Sequence, residues 1–221
     1  MDIKEIIKRF LKEDLPQKLE ALDNKDADIY NEFSLQHELG IYLREKLGDK
    51  YKVQFERNAE ELWGDFEIGD WKKTEMDIFV YKKNNGKDVK DIDEIYAIEL
   101  KFPRNKQYPE QMYSFIKDIK FMQQVKEKKR LARTFVLTLV DDQLFFKITG
   151  QERNNKIYKY FRSNDSLEDQ IIQAEEKIPT AKGIDKPTGT EEDSITLNLE
   201  LKQKIKWELI SSNYRYYFME I

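Results

Sequence analysis

The sequence predicts an α/β (α+β) fold: a central mixed β-sheet flanked by helices, with a β-rich C-terminal extension. Three observations predict it. Up to about residue 150, segments with helical apolar spacing and short apolar runs follow in the order helix, strand, strand, strand, helix, strand. The run EIYAIELKFP (94–103) is apolar on both faces, as in a strand covered on two sides. A helical segment and a second apolar strand follow it, the pattern of a right-handed crossover between parallel strands.

The elements follow in order. MDIKEIIKRFLKEDL carries Ile3, Ile6, Ile7, Phe10 and Leu11 at helical spacing. NKDAD (24–28) breaks that helix. A second runs from about Ile29 to Leu47, with Phe33, Leu35, Leu39, Tyr42, Leu43 and Leu47 on its apolar side and Gly48 as its stop. YKVQFERN (51–58) reads as a strand, and a loop with Trp63, Gly64, Gly69 and Trp71 leads to the strand KTEMDIFVYKK. NNGKDVKD (84–91) is a turn or short loop, and the strand 94–102 ends at Pro103. Met112, Phe115, Ile116, Ile119, Met122 and Val125 make 107–129 a helix, and RTFVLTLVDD (133–142) is apolar enough for a buried strand. Beyond residue 150, IYKYF (157–161) is compatible with a strand and 163–194 is polar. ITLNLELKQKIKWELI and YRYYFMEI, joined by SSN, read as a β-hairpin whose aromatics serve packing. Residues 1–150 thus form a core with its N-terminal helix, and 151–221 a C-terminal β-hairpin elaboration of the same domain.

Composition narrows the chemistry. The 221 residues contain no cysteine and one histidine, His37, which excludes disulfide scaffolds, thiol nucleophiles, and most zinc-hydrolase and His-based triad chemistry. Carboxylates, lysine and oxygen-bound cations remain. The formal net charge of -4 gives no global basic signature, so nucleic-acid binding must rest on a local patch. The N-terminus lacks a signal peptide's apolar region, and no apolar run reaches the length of about 18 residues that spans a bilayer. A soluble cytoplasmic protein with no membrane partner is expected.

The tripeptide Glu-x-Lys occurs at 99/101, 127/129, 175/177 and 200/202, and context separates the four. The pairs at 127 and 175 lie in charged or helical segments, where residues two apart do not share a face. Glu200 and Lys202 alternate with Leu197, Leu199 and Leu201 on the wet side of a strand. Only Glu99 and Lys101 interrupt a run that is apolar on both faces. Ionised side chains in such a place need a partner or a metal.

In a strand, Ile95, Ala97, Glu99 and Lys101 share a face, and in EMDIFVYK so do Glu75, Asp77, Phe79 and Tyr81. Antiparallel pairing of the two strands can set Asp77 beside Glu99, with opposed side chains starting about 5 Å apart. Two adjacent carboxylates call for a shared proton or a cation. Mg²⁺, or Mn²⁺, fits: it takes one or two carboxylates, keeps several waters and leaves room for a substrate phosphate. Lys101 can orient or deprotonate an attacking water, or neutralise phosphate charge. Hydrolysis of a phosphodiester by metal-activated water is the chemistry implied.

A further acid lies on the second helix. Measured from Leu35, its apolar side centres near about 40–50°, with Glu32 at about 60° and Glu38 at about 300°, on the edge. Phase favours Glu32 over Glu38 as the inward acid. His37 falls on the outward side and is given no role.

These residues together, a helix acid in NEFSLQHELG, Asp in EMDIFV and Glu-x-Lys in AIELKF followed by a helix, resemble the PD-(D/E)xK nuclease superfamily over roughly residues 28–140. The resemblance implies a restriction-endonuclease-like core and Mg²⁺-dependent DNA cleavage, in a restriction or other defence enzyme. It implies a catalytic set of Glu32, Asp77, Glu99 and Lys101, with Asp77 and Glu99 holding the metal. Met76 stands where the motif has proline. Gln111 is similar to a glutamine that some branches place early in the following helix, although Phe115 replaces the tyrosine four residues on.

Between Lys101 and Arg133 ten basic residues face three acidic ones, a local surplus suited to phosphate contacts. Arg104 and Lys106 lie nearest the expected metal and, with Gln111, are the candidate substrate-binding residues. DNA is the expected partner; whether two copies pair as a homodimer to cut both strands is left open. The alternative is a non-catalytic module that kept the fold for nucleic-acid binding or protein interaction.

Overall fold

The computed structural model describes residues 2–19, 27–64, 74–83, 94–129, 131–150, 156–162, 169–171, 204–211 and 213–221. The loop with Gly69 and Trp71, the turn 84–91 and the segments 163–168 and 172–203 lie outside the described residues, apart from the ends named below.

The chain starts with α1 (Ile3–Arg9), a π-helical turn (Phe10–Asp14) and α2 (Leu15–Leu19). The amphipathic helix expected here therefore continues to Leu19, with an interruption. Pro16 has no N–H and its ring clashes with the carbonyl four residues back, so the helix widens ahead of it: the Leu15 N–H bonds to the Phe10 carbonyl. Ile3, Ile6, Ile7, Phe10, Leu11, Leu15 and Leu19 are all buried.

Helix α3 (Glu32–Leu47) starts three residues later than Ile29 because Asn31 caps it. The Asn31 side chain accepts from the Ser34 N–H at 2.8 Å, while the Ser34 hydroxyl oxygen accepts from the Asn31 N–H at 2.9 Å. Gly48, at φ 57°, ends it. Gly40 on this helix lets the Phe55 ring close in; a Cβ there would lie 2.2 Å from the ring.

Strand β1 (Tyr51–Asn58) runs into α4 (Ala59–Trp63), where a loop was expected. The Asn58 side chain caps α4 by accepting from Glu60 and Glu61 N–H, a local signal passed over between two strands. Strands β2 (Glu75–Lys82) and β3 (Ile95–Lys101) follow, then α5 (Tyr108–Lys129) and β4 (Arg133–Val140). IYKYF is a 3-10 turn (Lys156–Tyr160) rather than a strand. Its buried residues Ile157, Tyr160 and Phe161 recur at three and four, which suits a helical turn and not the alternation of a strand. The C-terminal region supplies β5 (Asp169–Ile171), β6 (Lys204–Lys206), β7 (Glu208–Leu209) and β8 (Arg215–Glu220). β7 and β8 form the hairpin read around SSN, and β5 and β6 pair in a small second sheet.

The class is α/β: a mixed six-stranded sheet in the order β1-β2-β3-β4-β8-β7, flanked by helices. No helix among the described residues is long and apolar enough to cross a membrane. The chain divides into two compact units. One is Met1–Phe102 with Phe121–Phe135 and Glu220, and the other is Pro103–Lys120 with Val136–Met219 and Ile221.

The second unit has an aromatic core. The Phe115 ring meets Phe145, Phe161 and Tyr217 at centroid distances of 5.8, 5.6 and 6.4 Å, and Trp207 meets Tyr217 edge-on at 5.0 Å. The Trp207 indole N–H donates to the Phe161 carbonyl at 2.8 Å. Nearby, the Tyr108 hydroxyl donates to Asp142 at 2.6 Å. Burial, then that bond, pushes the Tyr108 hydroxyl up to about 12. A raised pKa favours the protonated form in the folded state. Its stabilisation is therefore complete below the ordinary tyrosine range and lost as pH rises through about 12. Denaturant melts from pH 9 to pH 12 should show a steeper loss of stability for wild type than for Tyr108→Phe, which keeps the ring and its edge-on contact with Phe145 at 5.0 Å and lacks the proton.

Candidate active site

The geometry starts from where two strands part. The β2–β3 ladder pairs Tyr81 with Ile95, Val80 with Tyr96, Phe79 with Ala97 and Ile78 with Ile98. Extended by one position, the same register opposes Asp77 and Glu99 on one face. Past that point a side chain takes over from the ladder: Asp77 Oδ2 accepts from the Leu100 N–H at 2.6 Å. Glu99 is 0% exposed, so a carboxylate lies fully inside the protein at the position opposite Asp77.

Helix α3 supplies the next acid. The cap at Asn31 makes Glu32 the first helical residue, and Glu32 reaches the end of β3. Its Oε1 lies 3.0 Å from Lys101 Nζ, and its Oε2 accepts from the Phe102 N–H at 3.2 Å. The alternate amides of the β3 terminus, Leu100 and Phe102, are thus each taken by a carboxylate. Lys101 forms an ion pair with Glu32, its side chain only 16% exposed. Glu38 pairs instead with Lys18 at 2.7 Å, so it is Glu32 that points toward β3, in keeping with helical phase.

Two residues were missed in the sequence. Gln36, one turn beyond Glu32 and buried, donates from Nε2 to the Asp77 carbonyl at 2.7 Å and to Glu56 Oε1. Its phase near the apolar side of α3 was the signal available. Glu56 left none. It is the single non-glycine residue with positive φ among those described, at 48°. Among the described residues the β1–β2 ladder pairs Phe55 with Ile78 and Arg57 with Met76, and passes over Glu56, which the register sets opposite Asp77. The left-handed conformation costs about 1–2 kcal/mol. The hydrogen bond from Gln36 to this exposed carboxylate offsets part of that cost.

The donor set fits a hard divalent cation. Asp77 and Glu99 offer carboxylate oxygens from neighbouring strands, and Mg²⁺ is content with one or two carboxylates plus water and substrate oxygens. No group of three potential His, Cys, Asp or Glu ligands occurs among the described residues. A cation here would therefore lean on water and substrate and not on a complete protein cage.

The expected substrate-binding residues belong to the second compact unit. Arg104 is exposed and pairs with Asp141, and Lys106 is exposed. The Gln111 amide donates to Asn105 Oδ1 at 3.1 Å. In the first unit Arg133 pairs with Asp2 at 2.8 Å and with Glu220 at 3.4 Å. Acids from outside the 101–133 window thus neutralise part of its basic surplus. His37 is 67% exposed on its side chain, as its outward phase requires.

No family model matches this chain, and no curated protein or solved structure matches it.

Proposed function

We propose that this protein is a divalent-cation-dependent endonuclease that hydrolyses DNA phosphodiester bonds, with a restriction-endonuclease-like core. The observation that supports the reading is the β2–β3 register, which extended by one position opposes Asp77 and Glu99, with Lys101 paired to Glu32 two residues further along β3. Asp77 and Glu99 would hold Mg²⁺ or Mn²⁺. When bound, the cation supplies Lewis acidity and lowers the pKa of a coordinated water. In the overall reaction the water oxygen adds to phosphorus, one P–O ester bond breaks, and the leaving oxygen takes up a proton.

Glu32 acts on Lys101. With one carboxylate oxygen on Lys101 Nζ and the other on the Phe102 N–H, it fixes the direction of Lys101. A fixed ammonium suits neutralising a phosphate oxygen better than abstracting a proton. Glu32→Gln retains an acceptor for Phe102 and loses the charge. It should lower the cleavage rate about 10-fold to 100-fold, with the thermal midpoint little changed.

The second reading is a module that binds without cutting. Incubating supercoiled plasmid with the protein and Mg²⁺ or Mn²⁺ separates the two. The endonuclease nicks the plasmid only when the cation is present. No cutting of plasmid, linear or single-stranded DNA would favour the module.

A further inference from the structure

We propose that Gln36 is a positioning residue for Asp77, and that Glu56 is the anchor that orients Gln36. The proposal rests on the nuclease reading above and extends it to a part of the fold that the motif residues do not include.

Gln36 Nε2 carries two hydrogens, and both are used: one on the Asp77 carbonyl, the other on Glu56 Oε1. Both partners are acceptors, so only one orientation of the amide satisfies them, and rotating it end for end would set three oxygens together. The Gln36 side chain is buried, so a donor left without its partner there is costly.

The second step concerns why Asp77 needs this bond. Its place opposite Glu56 is where the β1–β2 ladder is passed over, because the positive φ of Glu56 takes that residue out of strand geometry. The Asp77 carbonyl receives a side-chain donor from α3 at the one peptide where the carboxylate must be aimed. The same helix, one turn earlier, holds Lys101 and the Phe102 N–H through Glu32. Helix α3 therefore grips β2 through Gln36 and the end of β3 through Glu32, and so sets the separation of Asp77 from Lys101. The φ of Glu56 turns its carboxylate to Gln36 and completes the grip.

Removing the donors while keeping the volume tests this. Gln36→Met should lower kcat for plasmid nicking about 10-fold to 100-fold and weaken Mn²⁺ binding in calorimetry, with KM for DNA unchanged because Gln36 is buried. Glu56 is exposed, so its variants test the anchor without disturbing a core. Glu56→Gln keeps an acceptor and should behave as wild type, whereas Glu56→Ala should lose about 10-fold in kcat. Wild-type kcat and Mn²⁺ affinity in both Gln36→Met and Glu56→Ala would overturn the proposal. Should Gln36→Met not fold, the contrast between Glu56→Gln and Glu56→Ala decides, and equal activity in those two overturns it. A loss in Glu56→Gln equal to that in Glu56→Ala would also overturn it, by showing that the charge itself is required. A wild-type protein that neither nicks DNA nor binds Mn²⁺ removes the nuclease reading and this proposal with it, a result distinct from active wild type with indifferent variants.

Discussion

Replacing Asp77 by Asn is expected to leave the protein folded and to lower metal-dependent DNA cleavage by about 10³-fold or more. The substitution separates two roles that the geometry joins in one side chain. Asp77 Oδ2 accepts from the Leu100 N–H where the ladder with β3 gives out, and an amide oxygen can accept that bond as well. What Asn cannot supply is the negative charge beside Glu99. Lewis-acid stabilisation by a bound cation is worth several kcal/mol, and about 4 kcal/mol corresponds to 10³-fold in rate. A thermal midpoint near wild type with the rate lost would assign the charge to chemistry. An Asp77→Asn variant that nicks plasmid at the wild-type rate would reduce Asp77 to a cap on the end of β3.

The largest expected effect on stability lies in the second unit. Phe115 is 0% exposed and its ring meets three others, Phe145, Phe161 and Tyr217. Phe115→Ala should cost about 3–5 kcal/mol, the lost transfer free energy of the ring plus the cavity it leaves. Against a typical total of about 5–15 kcal/mol, that brings a domain close to unfolding at 37 °C. Phe115→Leu, which refills much of the volume, should recover a large part of the loss. Urea titration of the three proteins checks both statements. A cost below about 1 kcal/mol for the alanine variant would mean that the neighbouring rings close over the gap.

The sequence carried the strand faces and the helix phase because those signals were local and periodic. Alternation in EMDIFVYK and the two-sided apolar run in EIYAIELKFP set the faces of two strands, and the observed register extends to oppose Asp77 and Glu99. Helical phase separated Glu32 from Glu38, and their different partners, Lys101 and Lys18, agree with it. What escaped was conditional on tertiary structure. A glutamate at φ 48° has no signature in sequence, since glycine is the usual mark of that conformation. Gln36 looked like one more residue on a helix until the carbonyl it serves was in place. The basic window 101–133 was counted without Asp2, Asp141 and Glu220, acids far away in the chain that pair with its arginines. IYKYF was too short for composition alone to tell a buried turn from a strand.

We propose above that Asp77 and Glu99 form one cation site. The most direct measurement is calorimetric titration of Mn²⁺ into the wild-type protein, Asp77→Asn and Glu99→Gln, each shown to be folded by its thermal melt. Saturable binding near one ion per chain is expected in the wild type, with its loss in both variants. Binding that persists unchanged in the two variants, or no binding by the wild type, would contradict it.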